Sequence, residues 1–213
     1  MSDITKFQEH LIKKGYDLDN YGADNDFGNE TASASLRYIE DLCILNKVVL
    51  FPNNPYWIRM SDNFTDKFTD FLIVTDNDKV VSISNATTKA GRYWVKNPVT
   101  AGGILGTGVR VAGQTINSHI YKKGKNKWRG EGYFRQIATL LIYRDGNKDN
   151  KVDKNIKQQA PKWFGFFLHA MGKGNIIWNW SAGCLGAPLV QWNSNVDPYF
   201  TDGQIISDTI FEV

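Results

Sequence analysis

Apolar positions recur with a helical period in the first part of the chain. From 4 to 15 they lie three or four residues apart, and Gly15 ends the run. A second helical stripe, with Asn29 or Thr31 as its N-cap, continues to about residue 45. Two short helices bury little apolar surface by themselves, so the pattern predicts a small N-terminal helical segment at 1–47.

From about residue 56 the pattern becomes that of short strands separated by Gly, Asn and Asp turns. An Asp-Asn-Asp sequence at 76–78 lies between two of them and predicts a β-hairpin. A series of this kind is typical of a sandwich or a barrel, so the expected fold class is α+β, with the main domain at 56–213. The predicted strands are 71–75, 79–84, 137–143, 164–168, 175–180, 188–192 and 204–211.

Composition limits the classes of partner. The 213 residues are 42% hydrophobic and carry a net charge of +3, which suffices for one substantial core and is too weakly basic to predict nucleic-acid binding. An apolar run of about eighteen residues is absent from the sequence, which predicts no insertion into a membrane. The first residues lack a basic-then-apolar signal region, so we expect a protein that is cytoplasmic until another route releases it to the wall or that is carried on a virion. We also expect a monomer.

A histidine and a cysteine near the C-terminus carry the candidate chemistry. Cys184 ends the sequence Trp-Ser-Ala-Gly-Cys at 180–184, and His169 lies fifteen positions upstream. A free thiol has a pKa of about 8.5, so it needs a base to become a strong nucleophile at neutral pH. An imidazole can take that proton while a third polar group orients the ring.

Two antiparallel strands joined by a Gly-rich loop would bring these two residues to one end of a sheet. The predicted strands 164–168 and 175–180 supply that arrangement for His169 and Cys184. The alternative is a structural histidine and an inert buried cysteine, and the spacing alone leaves it open. Cys43 lies in the apolar sequence Leu-Cys-Ile-Leu and is expected to be a buried small hydrophobe rather than a disulfide partner.

The order of His169 and the Ser-Ala-Gly-Cys sequence at 181–184 resembles the signature of L,D-transpeptidase catalytic domains, a histidine followed by Ser/Thr-His-Gly-Cys-x-Arg. The resemblance implies that Cys184 attacks a peptidoglycan stem peptide and that His169 is its base. It also implies that Ser181 orients the base and that Gly183 lets the substrate approach backbone N–H groups that hold the oxyanion. The implied domain is mainly β.

Two positions depart from that signature. Ala182 stands where the family has a second histidine, and Gly186 stands where it has an arginine. These departures favour hydrolysis over transfer to an amine, so we expect a peptidoglycan hydrolase. The alternatives are an L,D-transpeptidase that remodels cross-links and a non-catalytic wall-binding or virion structural protein. A wall enzyme without a signal peptide also resembles phage endolysins and virion-associated lysins, which reach the wall through a holin pore or on the virion.

The N-terminal segment at 1–47 resembles the peptidoglycan-binding helical module. The resemblance implies attachment to insoluble wall, with Tyr16, Tyr21 and Phe27 as candidate contacts. An ordinary helical hairpin packed on the main domain is the alternative. The matching residues are Phe7-Gln8, Leu11, Gly15-Tyr16, Asp26-Phe27-Gly28, Thr31 and Leu36.

Three further features suggest contacts with the wall. Arg144 ends an apolar strand, where a guanidinium could clamp a stem-peptide carboxylate or form a surface salt bridge. Trp180 is a candidate substrate contact because the flat apolar faces of sugars match indole faces. A basic run is either a solvated hairpin tip or a patch that attracts the anionic wall. Its members are Lys122, Lys123, Lys125, Lys127 and Arg129.

An acidic loop is the last candidate site. Its oxygen-bearing residues follow the spacing of positions 1, 3, 5 and 9 of an EF-hand loop: Asp145, Asn147, Asp149 and Asp153. Ile156 replaces the glutamate of position 12, and two lysines within the loop oppose a cation. We therefore favour a polar β-turn, with a weak calcium site as the alternative. A thiolate–imidazole pair needs no metal, so no cofactor is expected.

Overall fold

The computed structural model describes residues 3–19, 22–124, 131–172, 174 and 176–213. Tyr21, Lys125, Lys127, Arg129 and Asn175, named above, lie outside the described residues. The helices are α1 Asp3–Lys13, α2 Asn29–Asn46, α3 Arg92–Lys96 and α4 Leu189–Asn195, with 3₁₀ turns at Lys162–Phe164 and Asp197–Tyr199. The strands are β1 Pro55–Arg59, β2 Asp70–Asp76, β3 Lys79–Ala86, β4 Val99–Ala101, β5 Ile104–Arg110, β6 Gly113–Lys122, β7 Tyr133–Gln136, β8 Leu140–Asp145, β9 Lys157–Ala160, β10 Leu168–Met171, β11 Leu185–Pro188 and β12 Ile205–Glu212.

The larger sheet closes on itself. Its eight strands run in the order β11-β10-β7-β6-β12-β1-β2-β3, and β4-β5-β8-β9 form a second sheet. The two edges of the larger sheet meet where Thr87, just after β3, exchanges main-chain hydrogen bonds of 2.8 and 3.1 Å with Gly186 of β11. Two helices followed by a barrel-like β domain confirm the expected α+β class.

Alternate residues of the barrel strands enter two different cores. Leu72 and Val74 of β2 belong to the interior core, to which all eight strands of the barrel contribute. Phe71 and Ile73, on the opposite face of the same strand, pack with residues of α1 and α2. The segment at 1–47 therefore shares a core with the barrel, because its apolar stripes are covered by the sheet.

The strand predictions were correct where the residues of a turn by themselves determine how two strands are connected. The hairpin at 76–78 is confirmed: β2 and β3 are joined at Asn77, whose φ of 54° suits a tight hairpin turn. The predicted strands 137–143 and 204–211 correspond to β8 and β12, with shifted ends.

Three other strand predictions are wrong. The range 188–192 falls largely in α4, where Trp192 is buried, and the buried Val196 follows the end of the helix one turn later. The range 164–168 is mostly a 3₁₀ turn and a loop, and β10 begins only at Leu168. The range 175–180 contains no strand in its described part, where turns follow the buried Ile177.

Candidate active site

Parallel pairing of β10 with β11 places the histidine and the cysteine on one face of the barrel wall. His169 is opposite Gly186 in the register, and Cys184 lies two residues before Gly186. Cys184 directly precedes β11 and packs against Met171, which lies two residues after His169 on β10. Side chains two residues apart on a strand point to the same side, so His169 and Cys184 share the face opposite the interior core.

The route between them differs from the predicted hairpin. Parallel neighbours require a crossover of a dozen or more residues, and 172–184 provides it. Within it the N–H of Ile177 donates to the carbonyl of Asp66 at 2.8 Å, which anchors the loop. Trp178 has a left-handed φ of 47°, which excludes a continuous strand here. The antiparallel pairing expected from the sequence is therefore wrong, although the two residues do reach one face.

Ser181 closes the turn that presents the cysteine. It is fully buried, its hydroxyl donates to the carbonyl of Cys184 at 2.6 Å, and its Oγ accepts from the N–H of Gly183 at 3.1 Å. Both hydrogen bonds stay within the turn, so the structure gives Ser181 a local role in shaping it. Neither bond involves His169, and the orienting role expected for Ser181 stays a prediction.

Gly183 is enclosed by the protein rather than open to a substrate. Its φ is +146°, and a Cβ at this position would lie 2.7 Å from the carbonyl oxygen of Gly108 and 2.8 Å from the ring of Phe166. Its N–H is already bound to Ser181. This glycine permits close packing against β5, and its expected role beside the substrate stays a prediction.

The Cys184 sulfur lies between two main-chain groups of the segment before β10. The N–H of Phe167 donates to Sγ at 3.4 Å, and the thiol faces the carbonyl oxygen of Gly165 at 3.7 Å. Cys184 is half-buried and packs against the cluster formed by Phe68, Met171 and Ile177. Burial raises the pKa of this thiol to about 11, and the N–H of Phe167 opposes that effect only in part. The resting thiol is therefore protonated at neutral pH.

The His169 ring has a defined tautomer. Its Nδ1 lies 2.8 Å from the carbonyl oxygen of Ala170. A carbonyl oxygen can only accept, so Nδ1 carries the hydrogen of this contact. A main-chain carbonyl of β10 thus helps to orient His169, and no residue-type pattern in the sequence marks it.

Two buried side chains that the sequence did not single out hold the segment around the sulfur. Gln136 accepts the N–H of Phe166 at 2.9 Å, and His119 Nε2 lies 3.0 Å from the Phe166 carbonyl oxygen. Burial lowers the pKa of His119 to about 4, so it is a neutral donor here. Together they fix both peptide groups of Phe166, and with them the Gly165 carbonyl and the Phe167 N–H. Neither residue carries a recognisable motif.

Arg144 is buried and does not reach solvent beside the candidate site. Its side chain is 3% exposed, and one terminal nitrogen donates to the carbonyls of Val99 and Ile104 at 2.7 and 2.9 Å. Burial lowers its pKa. Arg144 therefore ties β8 to the β4–β5 hairpin, and we leave it out of the proposed substrate groove because a carboxylate cannot reach it.

Aromatic side chains do reach the surface on the crossover. Trp178 and Trp180 are 55% and 45% exposed, and the Tyr93 ring centroid lies 6.2 Å from that of Trp178. By contrast, Tyr16 and Phe27 are half-buried against the core shared by the helices and the barrel. The Tyr16 hydroxyl donates to Asp41 at 2.6 Å.

The acidic loop links β8 to β9. Asp149 accepts the N–H of Lys151 at 2.8 Å, and Asp153 accepts that of Asn155 at 2.8 Å, as in a polar turn. Within the described ranges, no group of three or more His, Cys, Asp or Glu residues is arranged to hold a metal ion. Of the described helices, none has both the length and the apolar character needed to cross a membrane.

Comparisons with known proteins give little further guidance. No family model and no curated protein matches the chain. Among solved structures, it is similar to an L,D-transpeptidase (residues 123–326) from Xylanimonas cellulosilytica, with 14% identity and a TM-score of 0.37 over 99% of this chain and 94% of that one. A TM-score this low establishes no shared fold, so no role is inferred from it.

Proposed function

We propose that this chain is a cysteine-dependent enzyme that cleaves stem peptides or cross-links of peptidoglycan through a thioester. The observation that carries the proposal is the shared face of Cys184 and His169, with Nδ1 of the histidine held by the carbonyl of Ala170. The resemblance of 181–184 to the L,D-transpeptidase signature supplies the substrate class.

The proposed reaction has two steps. His169 Nε2 takes the thiol proton, and the thiolate of Cys184 attacks the peptide carbonyl carbon. The C–N bond then breaks, and the amine leaves with the proton from the imidazolium. Water, deprotonated by His169, attacks the thioester, so a carboxylate and the free thiol are released. The N–H of Phe167 stabilises the thiolate because it already points at the sulfur.

Hydrolysis is favoured over cross-linking because the second histidine and the arginine of the signature are replaced by Ala182 and Gly186. Gly186 in particular leaves no room for a side chain, since a Cβ there would lie 2.1 Å from the carbonyl oxygen of His169. We include in this proposal a phage endolysin or virion-associated lysin as the biological setting, released through a holin or carried on the virion.

The wall itself is proposed to contact two surfaces. Trp180 and Trp178 offer exposed rings on the crossover that leads to Cys184, and Tyr93 of α3 lies beside Trp178. Aromatic faces of this kind stack on sugar rings, which suits a glycan strand. The helices at 1–47 are proposed to add affinity for insoluble wall, as their resemblance to the peptidoglycan-binding module implies.

A second candidate function is non-catalytic binding of the wall. One observation favours it: burial raises the pKa of the Cys184 thiol to about 11, which is the behaviour of an inert cysteine. The two candidates differ in what the protein does to the wall after binding.

Incubation of purified protein with sacculi, followed by mass spectrometry of the muropeptides, separates these functions. Hydrolysis gives shorter fragments, and transpeptidation gives new dimers. Cys184→Ala should abolish either product while leaving the fold intact, and Cys184→Ser should nearly do so because its hydroxyl is far less acidic. Cys43→Ala is the matched control, since it removes the other cysteine, which is 4% exposed within α2. Unchanged muropeptide release by Cys184→Ala contradicts the thiol mechanism, and sacculus binding without any product identifies the non-catalytic protein.

A further inference from the structure

The acidic loop between β8 and β9 contains a buried carboxylate that is only half satisfied. Asp145, at the end of β8, is 1% exposed. Its Oδ2 accepts the N–H of Asp153 at 3.1 Å, which turns the carboxyl group into the loop. Its Oδ1 has no hydrogen-bond partner within the described residues. A buried charged oxygen without a hydrogen bond or a counter-ion lowers the stability of the fold, so a bound partner at this oxygen would stabilise it.

The Asp145 carboxyl group lies near the carboxylates of Asp149 and Asp153 and near the main-chain N–H groups of Asn147 and Asp153. Asn150 Oδ1 is likewise enclosed and has no partner among the residues that the structure describes. No ion pair in the described part of the chain neutralises Asp145, Asp149 or Asp153. The loop therefore gathers negative charge and amide oxygens without a compensating cation of its own.

The backbone of the loop is curved in the way that a wrapped cation needs. Lys148 and Asn150 both have left-handed φ values, 63° and 65°. Asn150 thus takes the conformation that glycine supplies at position 6 of an EF-hand loop. The lysines expected to oppose a cation have exposed side chains. Lys151 is opposite Asn63 in a short antiparallel bridge, whose hydrogen bonds are made by the main chains of Asn150 and Val152. The carbonyl of Lys151, at position 7, takes no part in that pairing.

We propose that this loop is a calcium site whose oxygen ligands come from Asp145, Asn147, Asp149, Asp153 and the main-chain carbonyl of Lys151. Carboxylate, amide and carbonyl oxygens at positions 1, 3, 5, 7 and 9 are the ligands that Ca²⁺ takes in such loops. Position 12 supplies no ligand, because Ile156 has an apolar side chain and its carbonyl is bonded to the N–H of Arg144 at 2.9 Å within the sheet. Water completes the shell.

The ligands of this site determine its affinity for calcium. The carboxylates do not form a preassembled cluster, since Asp149 and Asp153 are held by backbone N–H groups of the loop. Binding replaces those turn hydrogen bonds and lacks the bidentate glutamate, so we expect a dissociation constant at the weak end of the calcium range, about 10⁻⁴–10⁻³ M. The effect is structural, because the loop fixes the β8–β9 connection beside Arg144 and contributes no group to the Cys184 site.

Calcium binding is tested on the full chain after dialysis against a chelator. Isothermal titration with CaCl₂ should show one site per chain, and the melting temperature should rise by a few degrees once calcium exceeds the dissociation constant about tenfold. MgCl₂ should give a much smaller shift, since Mg²⁺ demands octahedral geometry and gives up its waters reluctantly. Asp149→Asn is the key variant, because Asp149 is exposed and its replacement does not endanger folding.

The matched control is Asp76→Asn, which alters an exposed carboxylate in the turn between β2 and β3. A calcium-specific shift that Asp149→Asn weakens at least tenfold and Asp76→Asn preserves supports the site. Asp145→Asn should remove the shift as well. No heat and no thermal shift up to about 10 mM calcium, ten times the weak limit of the range, overturns the proposal. A response that survives in both Asp145→Asn and Asp149→Asn also overturns it. Wall activity is not part of the readout, so failure of the proposed function leaves this test unaffected.

Discussion

The reactivity of Cys184 toward iodoacetamide follows from the burial of its thiol. With a pKa of about 11, only about one molecule in 10⁴ carries the thiolate at pH 7, against about 3% for a free cysteine of pKa 8.5. That ratio of about 300 is offset roughly tenfold, because a more basic thiolate is the stronger nucleophile. We therefore expect Cys184 to alkylate about 20–30-fold more slowly than a free cysteine at pH 7.

The assay is a pH series in the Cys43→Ala background. Cys43 has to be removed because burial raises its pKa to about 11 as well, so the two thiols would react in the same range. The modified peptide is quantified by mass spectrometry, with glutathione as the reference thiol. The rate at Cys184 should rise about tenfold per pH unit from pH 7 to pH 10, since the thiolate fraction does so below the pKa.

A plateau in that rate below pH 8 would refute the reasoning. It would mean that Cys184 and His169 rest as a thiolate–imidazolium pair, in which case the histidine outweighs burial. A rate equal to that of glutathione at pH 7 would show that the sulfur is solvated rather than enclosed. Either result is obtained without any substrate, so it stands apart from the question of which wall bond is cleaved.

The remaining predictions concern the base, the N-terminal helices and acid stability. His169→Ala should lower muropeptide turnover roughly 10²–10⁴-fold and slow alkylation of Cys184. Ser181→Ala should lower turnover far less, because Ser181 only shapes the turn. Equal alkylation rates with and without His169 would disprove the pairing. Deletion of 1–47 should leave an insoluble or unfolded protein, since it uncovers the sheet face that the helices share; a folded product by circular dichroism would show an independent module. Because the pKa of His119 is lowered to about 4, the free energy of unfolding should fall by roughly 3 kcal/mol as the pH drops from 6.5 toward 4. Urea unfolding at both pH values should show a smaller fall in His119→Gln.

Features governed by neighbouring residues could be predicted from the sequence. The hairpin at 76–78 depends on turn residues that favour left-handed conformations, and Asn77 adopts one. The helix α2 (Asn29–Asn46) follows a stripe of apolar residues that is visible without any knowledge of its partner. The series of short strands with turn residues between them likewise indicated a barrel or sandwich before its closure was known.

Features that depend on distant parts of the chain could not be predicted in this way. The range 175–180 has strong β propensity, but of its described residues only Ile177 is buried and the rest are exposed. The parallel register of β10 with β11 is a long-range choice that a hairpin pattern does not reveal. Likewise, the partner of His169 is a backbone carbonyl, and that of Phe166 is a histidine about fifty positions away in sequence, which no local pattern marks.

Gly186 is one of the departures from the signature, and it also shapes the geometry of the candidate site. It closes the barrel through its hydrogen bonds with Thr87, and it faces His169 across the β10–β11 pair. An arginine here would drive its Cβ to within 2.1 Å of the His169 carbonyl oxygen and separate the two strands. The same separation would move Cys184 away from the histidine. In this chain the glycine at 186 and the proposed pairing of base with nucleophile are therefore one requirement, so the missing arginine is compatible with the proposed thiol site.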